Sequence, residues 1–118
     1  MGSPRVPEPS QQQIAEQAVS LAVENVRRFL HSYVADSDGW DEVRREVRQT
    51  ARVGAPTLRD DVAAIDAVVI GRHAPGTLLR LVEGDGNWNL DREATDAGAA
   101  DFLRELAGLV RSVLAEPG

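Results

Sequence analysis

Several groups of residues in this 118-residue chain have types and spacings that chemistry could use. Asp36, Asp38 and Asp41 surround Gly39 in the manner of the oxygen ligands of a calcium loop. That loop needs glycine at its sixth position and a bidentate glutamate at its twelfth. Counted from Asp36 those positions hold Asp41 and Val47, so the calcium reading fails and Asp38 is expected to cap a helix. The paired carboxylates Asp60 and Asp61 would suit proton transfer only if a pocket buried them. At a helix start they are expected to be solvated and to offset the helix dipole. Gly84-Asp85-Gly86 lacks the later glycine of a dinucleotide fingerprint and the lysine of a phosphate loop, and no G-x-S-x-G is present. His31 and His73 stand in different segments outside any zinc-ligand spacing. His31 is expected to be partly packed and His73 to lie at the surface. The chain has no cysteine, which excludes thiolate catalysis and cysteine-ligated metals. The sequence therefore assigns no catalytic residue, no cofactor and no metal ligand, and the expectation is a protein that is not an enzyme.

What remains is charge. Nineteen acidic residues against thirteen basic ones give a net charge of -6, which opposes binding to nucleic acid and to anionic lipid and favours a basic partner. All the basic residues are arginine, as the codon bias of a GC-rich bacterial genome would produce. Many acids fall at loops and helix starts, and the candidate partner-binding residues are Asp36, Asp38, Asp41, Asp60, Asp61, Glu83, Asp85 and Trp88. Tryptophan is enriched at interface hot spots, and Trp88, between Asn87 and Asn89, is the better candidate anchor, while Trp40 reads as core. If the carboxylates gather on one face, their field would speed encounter with a cationic protein. The competing expectation is that they are scattered for solubility.

The elements that must position these residues read as helices. Ser10 and Gln13 resemble a capping box, followed by Ile14, Ala18, Leu21, Ala22, Val26, Phe29, Leu30 and Tyr33 at helical spacing. This predicts a long first helix over about 11–35, and Val19, Val23 and Val34 widen its apolar face enough to place it near the centre of the core. Trp40, Val43 and Val47 predict a second helix ended by Gly54. Thr57 and Asp60 predict a capped start to a third over about 58–70, whose tail, Val68-Val69-Ile70, is β-branched enough to make a short strand near 66–70 the alternative. A short fourth helix follows over Thr77–Glu83, then a glycine-rich loop pinned by Trp88. The clearest periodicity, Phe102, Leu103, Leu106, Leu109, Val110, Val113 and Leu114, predicts a last helix from Asp96 to about Ala115. The expected fold is all-α: a compact bundle of about five helices, with a flexible leader over 1–10 and a single domain over 11–116. The leader lacks the pattern of a secretory signal, and no apolar run is long enough for a membrane span, so a cytoplasmic protein is expected.

Three segments carry a family resemblance: Val26-Arg27-Arg28-Phe29-Leu30-His31-Ser32-Tyr33, Gly39-Trp40-Asp41, and Asp101-Phe102-Leu103-Arg104-Glu105-Leu106. Their order resembles the helical immunity proteins of contact-dependent growth inhibition and related polymorphic toxin systems, over about residues 26–114. The resemblance implies a small cofactor-free protein that binds a cognate bacterial toxin domain and neutralises it by covering or distorting its active site. Two alternatives stand beside it. One is a small structural or regulatory subunit that forms a homodimer through its long first and last helices. The other is a small cofactor-free enzyme, which would require a buried carboxylate or histidine in a pocket between helices.

Overall fold

The computed structural model describes residues 11–90 and 93–116, with side chains from residue 17 onward. The expected leader, the Ser10 cap, the side chain of Ile14 and the acid at position 91 lie outside the described residues. Helix α1, Gln11–Phe29, runs without a break into a wider π turn over Leu30–Val34, closed by the Ala35 amide donating to the Leu30 carbonyl at 2.8 Å. Helix α2 spans Trp40–Ile70. Helix α3, Thr77–Leu79, likewise passes into a π turn over Arg80–Asp85, and helix α4 spans Asp96–Leu114. Among the described residues the fold is all-helical, with four helices instead of five and no strand. No described helix is long and apolar enough to cross a membrane.

The merging of the expected second and third helices has a local cause. Gly54 leaves helical geometry, with φ -143° and ψ 40°, which is the interruption its sequence position suggests. The chain resumes the helix at once, because Pro56 falls in the first turn of the second half, where its missing N–H would have no partner anyway. The expected Thr57 cap does not form: its hydroxyl takes no hydrogen bond among the described residues, since the restart lies upstream of it. The proposed strand near 66–70 is instead the end of α2. Leu58, Val62, Ile65 and Val68 are buried at helical spacing, and their packing outweighs the few tenths of a kcal/mol by which β-branched residues disfavour a helix. Ile70 is left exposed at 84%.

The helix at the centre is α2, which packs against α1 on one side and most extensively against α4 on the other. Its Val43, Val47, Leu58, Val62, Ile65 and Val68 form one core with Ala22, Val26, Phe29, Leu30 and Val34 of the first helix and its turn, and with Phe102, Leu103, Leu106, Val110 and Val113 of α4. The expectation that α1 sits centrally and is covered on more than one side is corrected. Ala18 is exposed and Leu21 is 73% exposed, so only one stripe of the helix meets the core. Polar links fasten α4 to α2 at the surface: Arg48 reaches both Glu116 oxygens at 2.9 and 2.8 Å, Arg44 donates to Ser112 at 3.1 Å, and Arg111 pairs with Asp66.

The Thr95 hydroxyl accepts from the Gly98 amide at 3.1 Å and caps α4, which frees Asp96 to reach backwards. Its carboxylate accepts from the Gly76 amide at 2.7 Å and the Leu79 amide at 3.0 Å, so the first residue of α4 holds the start of α3. These amide donors hold the Asp96 carboxyl below the usual carboxylate range. His73 is not a plain surface residue. Half-buried, it donates from Nε2 to the Val68 carbonyl at 2.7 Å and satisfies one of the free acceptors at the end of α2. His31, expected to be partly packed, is exposed and lies 3.2 Å from Asp85.

Candidate functional site

The packing of α2 against α4 brings together three rings that are far apart in sequence. Trp40 opens α2, Phe102 lies one turn and a half into α4, and Trp88 comes from the loop between α3 and α4. Ring centroids are 4.9 Å apart for Trp40 and Trp88, 5.1 Å for Trp40 and Phe102, and 5.0 Å for Trp88 and Phe102, all in tilted arrangements that aromatic quadrupoles favour. Phe102 is buried, whereas both tryptophans are half-buried. The expected division, with Trp40 in the core and Trp88 at an interface, gives way to one shared cluster. Trp88 is held there by its own backbone, whose amide donates to the Val82 carbonyl at 3.2 Å across the end of the π turn.

Concavities open on both sides of Trp40. One, of about 490 Å³, is floored by Trp40, Trp88, Leu90 and Phe102 and edged by Glu93, Asp101 and Glu105. The other, of about 420 Å³, is edged by Asp38, Asp41, Glu42 and Arg45. Asp101 pairs with Arg104 at 2.7 Å, and Glu42 accepts from the Asp38 amide at 3.1 Å. Asp38 therefore does not cap α2 with its side chain; Gly39 occupies the cap position. Asp38, Asp41, Glu93 and Glu105 have no ion-pair partner among the described residues. Gly98 lets the loop approach this closely, since a Cβ there would fall on the Glu93 carbonyl oxygen.

The remaining candidates lie elsewhere. Asp36 is exposed in the turn before α2, near which Asn87 donates to the Ala35 carbonyl at 3.2 Å. Glu83 accepts weakly from the Leu90 amide at 3.3 Å. Asp85, at the end of the second π turn, bridges to Arg27 of α1 and His31 of the first π turn, with Arg27 Nε and His31 Nε2 each 3.2 Å from one of its oxygens. Asp60 and Asp61 belong to a separate cleft between α1 and the second half of α2. Of the eight residues proposed from sequence, Asp38, Asp41 and Trp88 converge on the aromatic face. Glu93, Asp101 and Glu105 complete its rim and were not in that set; they become neighbours of Trp40 only through the α2–α4 contact.

The cleft, of about 330 Å³, is lined on one wall by Asn25, Arg28 and Ser32 and on the other by Thr57, Asp60 and Asp61, with Phe29 and Tyr33 at its base. Asp61 is only 9% exposed, against the expectation that it is solvated. Burial pushes its carboxyl above the usual range, Arg28 and the nearby Asn25 amide pull it back in part, and Asp60 adds to the rise. No ion pair closes between Asp61 and Arg28. A signal for this burial is present in the sequence: Asp61 follows Leu58 by three residues and precedes Ile65 by four, which sets it on the apolar stripe of α2.

Comparison with models of known families, with curated proteins and with solved structures finds no match to this chain.

Proposed function

We propose that this chain is a protein-binding domain that takes a basic partner on the acid-rimmed aromatic face around Trp40 and Trp88, as an immunity-type inhibitor of a bacterial toxin domain would. One observation carries the reading: two half-exposed indole rings, backed by Phe102, lie between flanks on which Asp38, Asp41, Glu93 and Glu105 have no ion-pair partner among the described residues. A cationic side chain, arginine above all, gains from an aromatic ring face and from nearby carboxylates at once. The rings are fixed by packing, so little ordering entropy remains to oppose binding. The net charge of -6 adds long-range attraction to the same class of partner.

The test is co-expression with the carboxyl-terminal domain of a toxin encoded immediately upstream. Protection of the cells, a complex that weakens as salt rises, and loss of both in Trp88→Ala are the expected results. Full toxicity with no complex rejects the reading.

A dimeric subunit remains the second reading, and one observation favours it. Leu21, at 73% exposure, stands beside exposed Ala18 on the outer stripe of α1. The outer positions of α4, among them Asp101, Arg104, Glu105 and Arg111, are polar, so a dimer would use α1 and not α4. Sedimentation of the isolated chain distinguishes a tight dimer from a monomer. The enzyme alternative asks for a buried carboxylate beside a pocket, and Asp61 meets that condition. Facing an arginine and several neutral polar groups, it suits holding a charged ligand more directly than it suits a specified reaction.

A further inference from the structure

The cleft between α1 and the second half of α2 holds opposite charges on facing walls: Arg28 on one, Asp60 and Asp61 on the other. They are close enough for Arg28 to act on Asp61, yet no ion pair closes between them. Arg28 is directed along its own helix instead, donating from Nη2 to Asn25 Oδ1 at 2.7 Å. Asp61 is only 9% exposed, and the Asn25 side chain and Arg28 offset the cost of its burial only in part. The hydroxyls of Ser32 and Thr57 add neutral partners at the margin, and the Phe29 and Tyr33 rings, 4.6 Å apart, supply an apolar base. The Tyr33 hydroxyl donates to Thr50 at 3.0 Å, which fixes that ring. The π turn over Leu30–Val34 carries Ser32 and Tyr33 into this position, and such turns often mark binding sites.

We propose that this cleft binds a small zwitterion of the α-amino-acid class, its ammonium group on Asp61 and Asp60, its carboxylate on Arg28, and an apolar side chain against Phe29 and Tyr33. A lone cation would meet Arg28 and a lone anion would meet the two aspartates, so each half is penalised where the whole is not. The volume of about 330 Å³ lies at the small end of ligand pockets, which suits a free amino acid and not a peptide. The site is distinct from the aromatic face, so either can fail without the other.

Calorimetric titration of the full chain tests this with L-phenylalanine, 2-phenylethylamine and 3-phenylpropionate, which share a ring and differ in the charges they carry. The zwitterion is expected to bind at least roughly tenfold more tightly than either half. Asp61→Asn and Arg28→Gln should each remove that advantage while circular dichroism shows the helices intact. Three results would overturn the proposal: no saturable binding in the millimolar range, equal affinity for the amine and the zwitterion, or unchanged zwitterion binding in Asp61→Asn.

Discussion

The face around Trp40 and the cleft around Asp61 use the same materials in opposite order. At the face the rings are packed inward and the carboxylates stand outside in water; in the cleft a carboxylate is drawn inward and an arginine is left at the rim. An acid in water acts on a distant partner through its field, over a Debye length of about 8 Å in physiological salt. A withdrawn acid acts only on what touches it, is little affected by salt, and burdens the fold until it is met. The number of acidic residues in a sequence therefore says less about function than the side of the apolar layer on which each one falls.

The largest effect should follow removal of the wall that both tryptophans share. Phe102→Ala should destabilise the chain by about 3–5 kcal/mol in urea unfolding, the range for deleting a buried aromatic ring. Partner binding should be lost with it. A loss under about 1 kcal/mol would show that the three rings are not packed as a unit. Gly98→Ala comes next, at about 1–3 kcal/mol, because the new methyl group must displace the Glu93 carbonyl, and backbone yields less readily than a flexible side chain. Its effect should include altered Trp88 fluorescence, since the loop that carries this residue has to move.

The cleft and the rest of the surface also differ in their response to pH. The Asp61 carboxyl is raised in the folded state, so the folded chain holds this proton more tightly than the unfolded chain does. Its contribution favours the fold below the ordinary carboxylate range and turns unfavourable as pH rises through the raised folded value. Asp61→Asn should therefore stabilise the protein at neutral pH, on the order of 1 kcal/mol, and lose that advantage in acid. Asp96 runs the other way: its carboxyl is lowered by the Gly76 and Leu79 amides, so its contribution is present above the ordinary range and disappears as pH falls through the lowered folded value. Urea midpoints for Asp61→Asn and Asp96→Asn should thus lie on opposite sides of wild type at neutral pH and converge on it in acid. Parallel curves would refute the burial of Asp61.

The parts of this architecture that periodicity alone determines were legible. Helix α4 begins at Asp96 as expected and ends within a residue of its anticipated close, and Phe102, Leu103, Leu106, Leu109, Val110 and Val113 are all buried. Local chemistry located the interruption at Gly54 but not its consequence, because whether a helix restarts across a glycine and a proline depends on what packs against both halves. The β-branched run Val68-Val69-Ile70 suggested a strand because propensity is a weaker force than the burial of Ile65 and Val68. The apolar residues of α1 were recognised, but a stripe states which side chains seek cover, not which helix arrives to cover them, and Leu21 stayed exposed. The aromatic cluster was hidden for a similar reason: Trp40, Trp88 and Phe102 meet only once α2, α4 and the loop before α4 are docked. Asp61 differed, since its place on the stripe with Leu58 and Ile65 was written in the spacing and was masked by the exposed acid beside it.

The smallest expected effect on stability is also the most discriminating for the face. Glu93 and Glu105 are exposed at its rim, so replacing both by glutamine should leave unfolding within about 0.5 kcal/mol of wild type, as exposed substitutions do. If they act through their field, the loss should fall on association: the double variant should bind its partner more slowly and with a shallower salt dependence, while the complex, once formed, dissociates at nearly the same rate. Trp88→Ala should do the reverse, since the ring supplies contact and not steering. Surface plasmon resonance at two salt concentrations separates the two. If the double variant changed dissociation instead, the carboxylates would be in direct contact with the partner, and the rim would have to be read as desolvated on binding, in the manner of Asp61.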